Sequence, residues 1–202
     1  MLSQLHTKRD QTVVESEWQE RMNWSRIRAT KVNQMSIDEY LDSIERLWPK
    51  PGESPTVEVV ALCQQAIAEH PSSSTLWYDL GMIMHRCSEE HGFSAEDYLR
   101  CFENAVKCNT DNWEALRELG YVLDTYFDEY EKAAEAFKKA ISLGADHESY
   151  GGYARALAQM GRTEEAIACL SESTCPFHNH PEIQKLRSEI RAGDWYWTTD
   201  VQ

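Results

Sequence analysis

Residues 113–140 read WEALRELGYVLDTYFDEYEKAAEAFKKA, and the order of large and small side chains in this stretch recurs on both sides of it. Leu116, Leu119, Gly120 and Leu123 open it; Ala133, Phe137 and Ala140 close it. Upstream, Trp77, Leu80, Gly81 and Met84 are followed by Tyr98, Phe102 and Ala105. Downstream, Tyr150, Tyr153, Ala154 and Leu157 are followed by Ala166 and Leu170. Gly81 to Gly120 is 39 residues and Gly120 to Ala154 is 34, while Phe102 to Phe137 is 35 and Phe137 to Leu170 is 33. An alternation returning at about 34 residues predicts stacked helical hairpins, because each hairpin buries its apolar face only against its neighbours.

The order resembles the tetratricopeptide repeat: an aromatic, Leu-Gly, a further large residue, then a small residue, an aromatic, Ala and Pro. A more degenerate copy lies upstream, with Cys63 in the aromatic slot, Ala66 in the Ala slot and Pro71 in the Pro slot, six residues before Trp77. The resemblance covers roughly residues 36 to 180. It implies an all-α fold, a right-handed superhelical solenoid of antiparallel helix pairs, with three clear repeats, the degenerate N-terminal one and a C-terminal capping helix. Thr110, Ala145 and His178 depart from it by replacing the closing Pro. The first clear repeat has five surplus residues around His85 to Ser94, and the second has one near Phe127–Asp128. Such insertions reshape loops and leave the stack intact.

Start and stop signals predict the helices. Ser36 with Glu39 is a capping box for a helix to Trp48, and Ser54-Pro55 opens one running through Glu69. Helices follow at 75–87, at 95–108 behind Ser94 and Asp97, and from Asp111–Glu114 to Tyr126. Others are expected at 129–143 before Gly144, at 149–160 and 163–172 around Gly161, and from Pro181 to Ala192, the last turning Ile183, Leu186 and Ile190 inward. Residues 1–35 read as an N-terminal extension, an amphipathic helix with the stripe Val14, Trp18, Met22, Ala29 and Val32. The helical repeats occupy 36–192, and 193–202 form an aromatic tail, Trp195-Tyr196-Trp197, expected to fold back on the chain or on a partner. No strand is expected.

The chain has 202 residues and a formal net charge of −14. Residues 1–35 carry six Lys/Arg against four Asp/Glu, and the remainder carries 14 against 30. An acidic body repels phosphate backbones, which argues against nucleic acid, and it would speed encounter with a basic protein. No run of 18 apolar residues spans a membrane, and Met1–Asp10 lacks the apolar core of a secretory signal. The six cysteines show no C-x-x-C spacing; they read as small buried hydrophobes of a cytoplasmic protein.

Phosphate loops, dinucleotide fingerprints, nucleophile elbows and H-E-x-x-H are all missing, so neither an enzyme nor a cofactor is expected. His85, Cys87 and His91 form one Cys/His group, and Cys175, His178 and His180 another. Neither has four ligands at zinc-site spacing, so no metal is expected. The family resemblance places function on a concave groove lined by the first helix of each pair. Helical geometry aims the residue after the aromatic slot, and those a turn further on, into that groove. This selects Tyr78, Met82, His85 and Arg86, then Arg117, Tyr121 and Asp124, then Gly151, Arg155 and Gln159. Arg117 and Arg155 either grip a partner's carboxylate or pair with local acids such as Glu118 and Asp124. Some tetratricopeptide proteins clamp acidic chaperone tails with Lys, Asn and Arg. Here Tyr78, Met82, Tyr121 and Gly151 stand at matching sites, so that clamp is not expected. Gly151 and Gly152 open a helix either where something approaches closely or where the helix merely frays. The reading is a non-enzymatic interaction module that binds a peptide or protein in its groove, a basic partner being the one the charge favours. The alternative is an acidic immunity-type inhibitor that neutralises a basic toxin or nuclease. Oligomeric state is left open.

Overall fold

Short polar side chains set where the helices begin. The computed structural model describes residues 35–51, 53–86 and 92–193, and these hold nine helices and no strand. They are α1 (Ile37–Leu47), α2 (Val57–Glu69), α3 (Ser74–Arg86), α4 (Ala95–Cys108), α5 (Trp113–Phe127), α6 (Tyr130–Ser142), α7 (His147–Gln159), α8 (Thr163–Cys169) and α9 (Pro181–Ala192). The expected N-terminal amphipathic helix, the Trp195–Trp197 tail, Cys87 and His91 lie outside the described residues.

At α1 the capping box forms: Glu39 N–H donates to Ser36 Oγ, and Ser36 N–H donates to the Glu39 carboxylate at 2.7 Å. Three predicted starts shift; α7, expected from 149, begins at His147 behind the cap Asp146. Thr56, not Ser54, caps α2 by accepting from Val59 N–H, and Pro55 is buried just outside the helix, where an apolar residue covers the entering turn. Asn112, not Asp111, caps α5, its side chain accepting from Ala115 N–H at 2.9 Å. The surplus residue of the second repeat is absorbed at Asp128, which ends α5 with a left-handed φ of 53°. Pro181 sits in the first turn of α9 as expected, where a missing N–H costs nothing.

The chain forms two compact units, dividing at Cys101/Phe102 within α4. In the first, α1 packs on α2 and α2 on α3. Leu76, Leu80, Ile83 and Met84 of α3 are fully buried, and Cys101 Sγ meets Met84 Sδ at 3.8 Å. The six-residue spacing from Pro71 to Trp77 is a contact: Trp77 Nε1–H donates to the Pro71 carbonyl at 2.9 Å.

In the second unit α5 through α9 pack in sequence, and α5 also touches α7, as α7 touches α9. Contacts between helices two apart in the chain are those that stacking of consecutive hairpins requires, in line with the repeat pattern. Phe137 of α6 is the fully buried wedge. A Cβ placed on Gly120 of α5 would come within 2.8 Å of its ring, and one on Gly152 of α7 within 2.3 Å. The ring therefore lies against the backbones of two helices at once. Gly152 is explained by close approach, not by fraying. Gly151 differs: a Cβ there meets Leu186 at 3.7 Å and Arg155 at 3.8 Å, ordinary contacts.

Two stability measurements test this packing. Gly152→Ala should lower stability by about 1–3 kcal/mol in urea denaturation, because the wedge must move. Gly151→Ala should leave stability unchanged or raise it by up to ~1 kcal/mol, through helix propensity alone. The second measurement concerns Asp79 of α3, whose carboxyl is pushed up to about 7 by burial. The unfolded carboxyl releases its proton near 3.8, while the folded one holds it to about 7. Its contribution to stability is thus full below pH ~4 and is lost as pH rises through 7. Asp79→Asn should flatten the fall in urea midpoint between pH 5 and pH 8 relative to wild type.

Candidate functional site, an acidic pocket on the second unit

The face that α5, α7 and α9 share encloses a pocket of about 250 Å³. Its walls are Glu118 and Tyr121 from α5, His147, Glu148, Gly151 and Arg155 from α7, and Glu182, Ile183 and Leu186 from α9. The contributions follow from helical spacing. Residues 147, 151 and 155 lie one turn apart on α7, and 182 and 183 each lie about a turn from 186 on α9. Ile183 and Leu186 are buried and give the pocket an apolar floor.

Arg117 organises the acids around this pocket. Its guanidinium pairs with Glu118 at 2.8 Å, with Glu148 at 3.1 Å and with Asp146, and it lies over the Trp113 ring at 5.5 Å. Burial works against the Arg117 charge, but the carboxylates of Glu118, Asp146 and Glu148 outweigh it and hold the group more firmly protonated than usual. Burial raises the Glu118 carboxyl above its ordinary range, against the pull of Arg117. Asp146 also caps α7, accepting from Ser149 N–H at 3.2 Å, so the ion pairs and the helix start share one residue. Tyr121 packs edge-on to Phe137 at 5.0 Å, and its hydroxyl donates to the Glu148 carbonyl. The wedge at the core thereby positions a pocket wall.

Asp124, one turn beyond Tyr121, is 8% exposed, and its Oδ1 has no hydrogen-bond partner among the described residues. Burial pushes it to about 6, partly offset by the positive charge of Arg155. The pocket walls carry three carboxylates (Glu118, Glu148 and Glu182) against one guanidinium, Arg155, with Arg117 and Asp146 at the border. The balance is negative.

Of the groove residues expected from sequence, Tyr121, Gly151 and Arg155 line the pocket, and Arg117 borders it through its pairs with Glu118 and Glu148. Asp124 and Gln159 are not among its walls. Tyr78, Met82, His85 and Arg86 belong to α3 of the first unit; Tyr78, Met82 and His85 are half-buried, Arg86 is exposed, and the His85 ring lies 4.9 Å from that of Tyr98. Arg117 satisfies the second of its two predicted options, pairing with local acids. The slot rule missed Glu118, His147, Glu148, Glu182, Ile183 and Leu186. It follows first helices alone, whereas one wall here comes from the last helix. Ile183 and Leu186 were legible only as core positions.

The Cys/His group near Pro181 does not converge as its sequence order suggests. Cys175 is buried, His178 Nδ1 contacts the Cys175 carbonyl at 3.1 Å, and His180 instead lies against His147, ring centres 3.8 Å apart and tilted by 35°.

Removing the organising cation has a specific consequence. Arg117→Ala leaves three neighbouring carboxylates uncompensated, one of them on the 9% exposed Glu118. Loss of one partner from a largely buried pair costs about 3 kcal/mol, which chemical denaturation at pH 7 should read as a lowered midpoint. Adding Glu118→Gln should recover part of that loss.

Comparison with known proteins places this fold. The tetratricopeptide repeat family profile matches residues 127–190. The crystal structure of MamA protein is similar, with a TM-score of 0.56 at 17% sequence identity, over 96% of this chain and 93% of that one. The crystal structure of YrrB, a TPR protein, is similar at a TM-score of 0.55 and 18% identity, over 77% of this chain and 71% of that one. No curated protein sequence matches significantly. No helix among the described residues is long and apolar enough to cross a membrane. Residues 127–190 are thus tetratricopeptide-repeat sequence, in a chain whose fold is that of tetratricopeptide-repeat proteins.

Proposed function

We propose that this protein is a non-enzymatic interaction module and that the pocket lined by α5, α7 and α9 receives a basic side chain of a partner peptide or protein. The observation that carries the reading is the unbalanced charge of a concave, apolar-floored pocket: three carboxylates, Glu118, Glu148 and Glu182, against the single guanidinium of Arg155 in its walls. A Lys or Arg is long enough to lay its methylenes over Ile183 and Leu186 while its charge reaches Glu148 and Glu182. Tyr121 and Arg155 act as the polar rim. Arg117 does not meet the partner; it holds the acids in place. The overall charge of −14 favours the same class of partner by steering its approach. The name of the YrrB structure records an unusual peptide-binding site on this fold, which supports peptide binding as the mode. Tyr78, Met82, His85 and Arg86 remain in the proposal as a contact surface of the first unit.

Fluorescence anisotropy with labelled peptides tests the pocket. Peptides bearing Lys or Arg beside an apolar residue should bind, and their acidic counterparts should not. Gly151→Leu, which projects into the pocket from a position where a Cβ fits, should weaken binding at least tenfold, and Glu182→Gln about threefold. Unchanged affinity in Gly151→Leu would move recognition to the outer acidic surface, as an immunity-type inhibitor requires. In that case affinity should also collapse between 50 and 300 mM salt, roughly a Debye-length effect.

A further inference from the structure

We infer that His147, His180 and Glu182 form a binding site for one divalent cation of the zinc class. One nitrogen from each imidazole and one Glu182 oxygen all lie within 4.8 Å of one another. Zinc bonds of about 2.1 Å in a tetrahedral arrangement put ligand atoms roughly 3.4 Å apart. His147 Nε2 and Glu182 Oε2 already stand at 3.4 Å. The remaining donor is His180, whose ring lies against that of His147 at 3.8 Å between centres.

Three features point to a ligand there. First, His180 Nδ1 is buried with no hydrogen-bond partner among the described residues, so this imidazole is under-used by the fold itself. Second, the donors come from two rigid starts: His147 is the first residue of α7, and His180 is the residue before α9, followed directly by Pro181. Glu182, whose side chain is 75% exposed, is free to adjust toward a shared ion. Third, His147 and Glu182 also line the acidic pocket, so the cation would enter a negative field. Two imidazoles and a carboxylate suit zinc, and the set contains none of the chain's cysteines. Sequence spacing hides this site, because His147 is 33 residues from His180.

Isothermal titration of chelator-treated, full-length protein with ZnCl₂, without any peptide, tests the site separately from the pocket's role in recognition. One zinc per chain should bind. His147→Asn and His180→Asn should each weaken binding at least about tenfold. Glu182→Gln should weaken it less, and because this residue is exposed its effect stands even if an imidazole variant folds poorly by circular dichroism. The cobalt(II) form should show ligand-field bands without thiolate charge transfer. Absence of saturable binding would overturn the site. So would unchanged affinity in His147→Asn/His180→Asn, or a cobalt–thiolate band, either of which assigns the metal to other residues. A purely structural His147–Glu182 ion pair predicts the first of these results.

Discussion

A single aromatic ring held between two helix backbones underlies the second unit. Phe137 reaches its position only because Gly120 and Gly152 present no Cβ, and it fixes how closely α5 and α7 approach α6. The pocket walls from α5 and α7 depend on that approach. Tyr121, edge-on to the same ring, is aimed at the Glu148 carbonyl, and α7 is thereby brought to the distance at which Arg117 on α5 reaches Asp146 and Glu148. A bulkier residue at either glycine would separate the helices and loosen the ion pairs with them. Packing and electrostatics here are one constraint seen from two sides.

The pocket departs from the usual logic of a surface ion-pair network. Arg117 is shared among three carboxylates, which leaves the site with excess negative charge instead of neutralising it. Such an arrangement is tolerable because Glu148 and Glu182 keep contact with water, while Asp124 and Glu118 respond to burial by holding their protons more tightly. A cationic group arriving from outside, whether a partner's side chain or a metal ion, meets a surface already arranged to lower its energy. An anionic peptide end meets the opposite.

Much of the fold was legible along the chain. The recurring large–small order named the residues that are buried: Leu80, Met84, Phe102, Phe137, Leu157 and Leu170 all occupy the core. The capping box at Ser36 and the proline at 181 also did what local chemistry requires. Helix starts were misplaced by one or two residues at Thr56, Asn112 and Asp146, since several oxygen-bearing side chains stood near each start and only three-dimensional reach chose among them, and the end of α8 by three. Of the site, Tyr121, Gly151 and Arg155 were legible because one helix's periodicity sets which of its own residues share a face.

Periodicity and capping are properties of neighbouring residues, so the sequence by itself determined that this protein is built of helical hairpins, roughly where each helix lies and which side chains enter the core. Which residues of different helices meet was decided only by tertiary structure. The contact of His147 with His180, the capture of Arg117 by acids 29 and 31 residues away, and the use of the last helix as a pocket wall all join distant segments. The reason is physical: these contacts depend on interhelical distance and rotation, which packing between helices sets and no local pattern encodes; for α5, α6 and α7 that packing is Phe137 against two backbones.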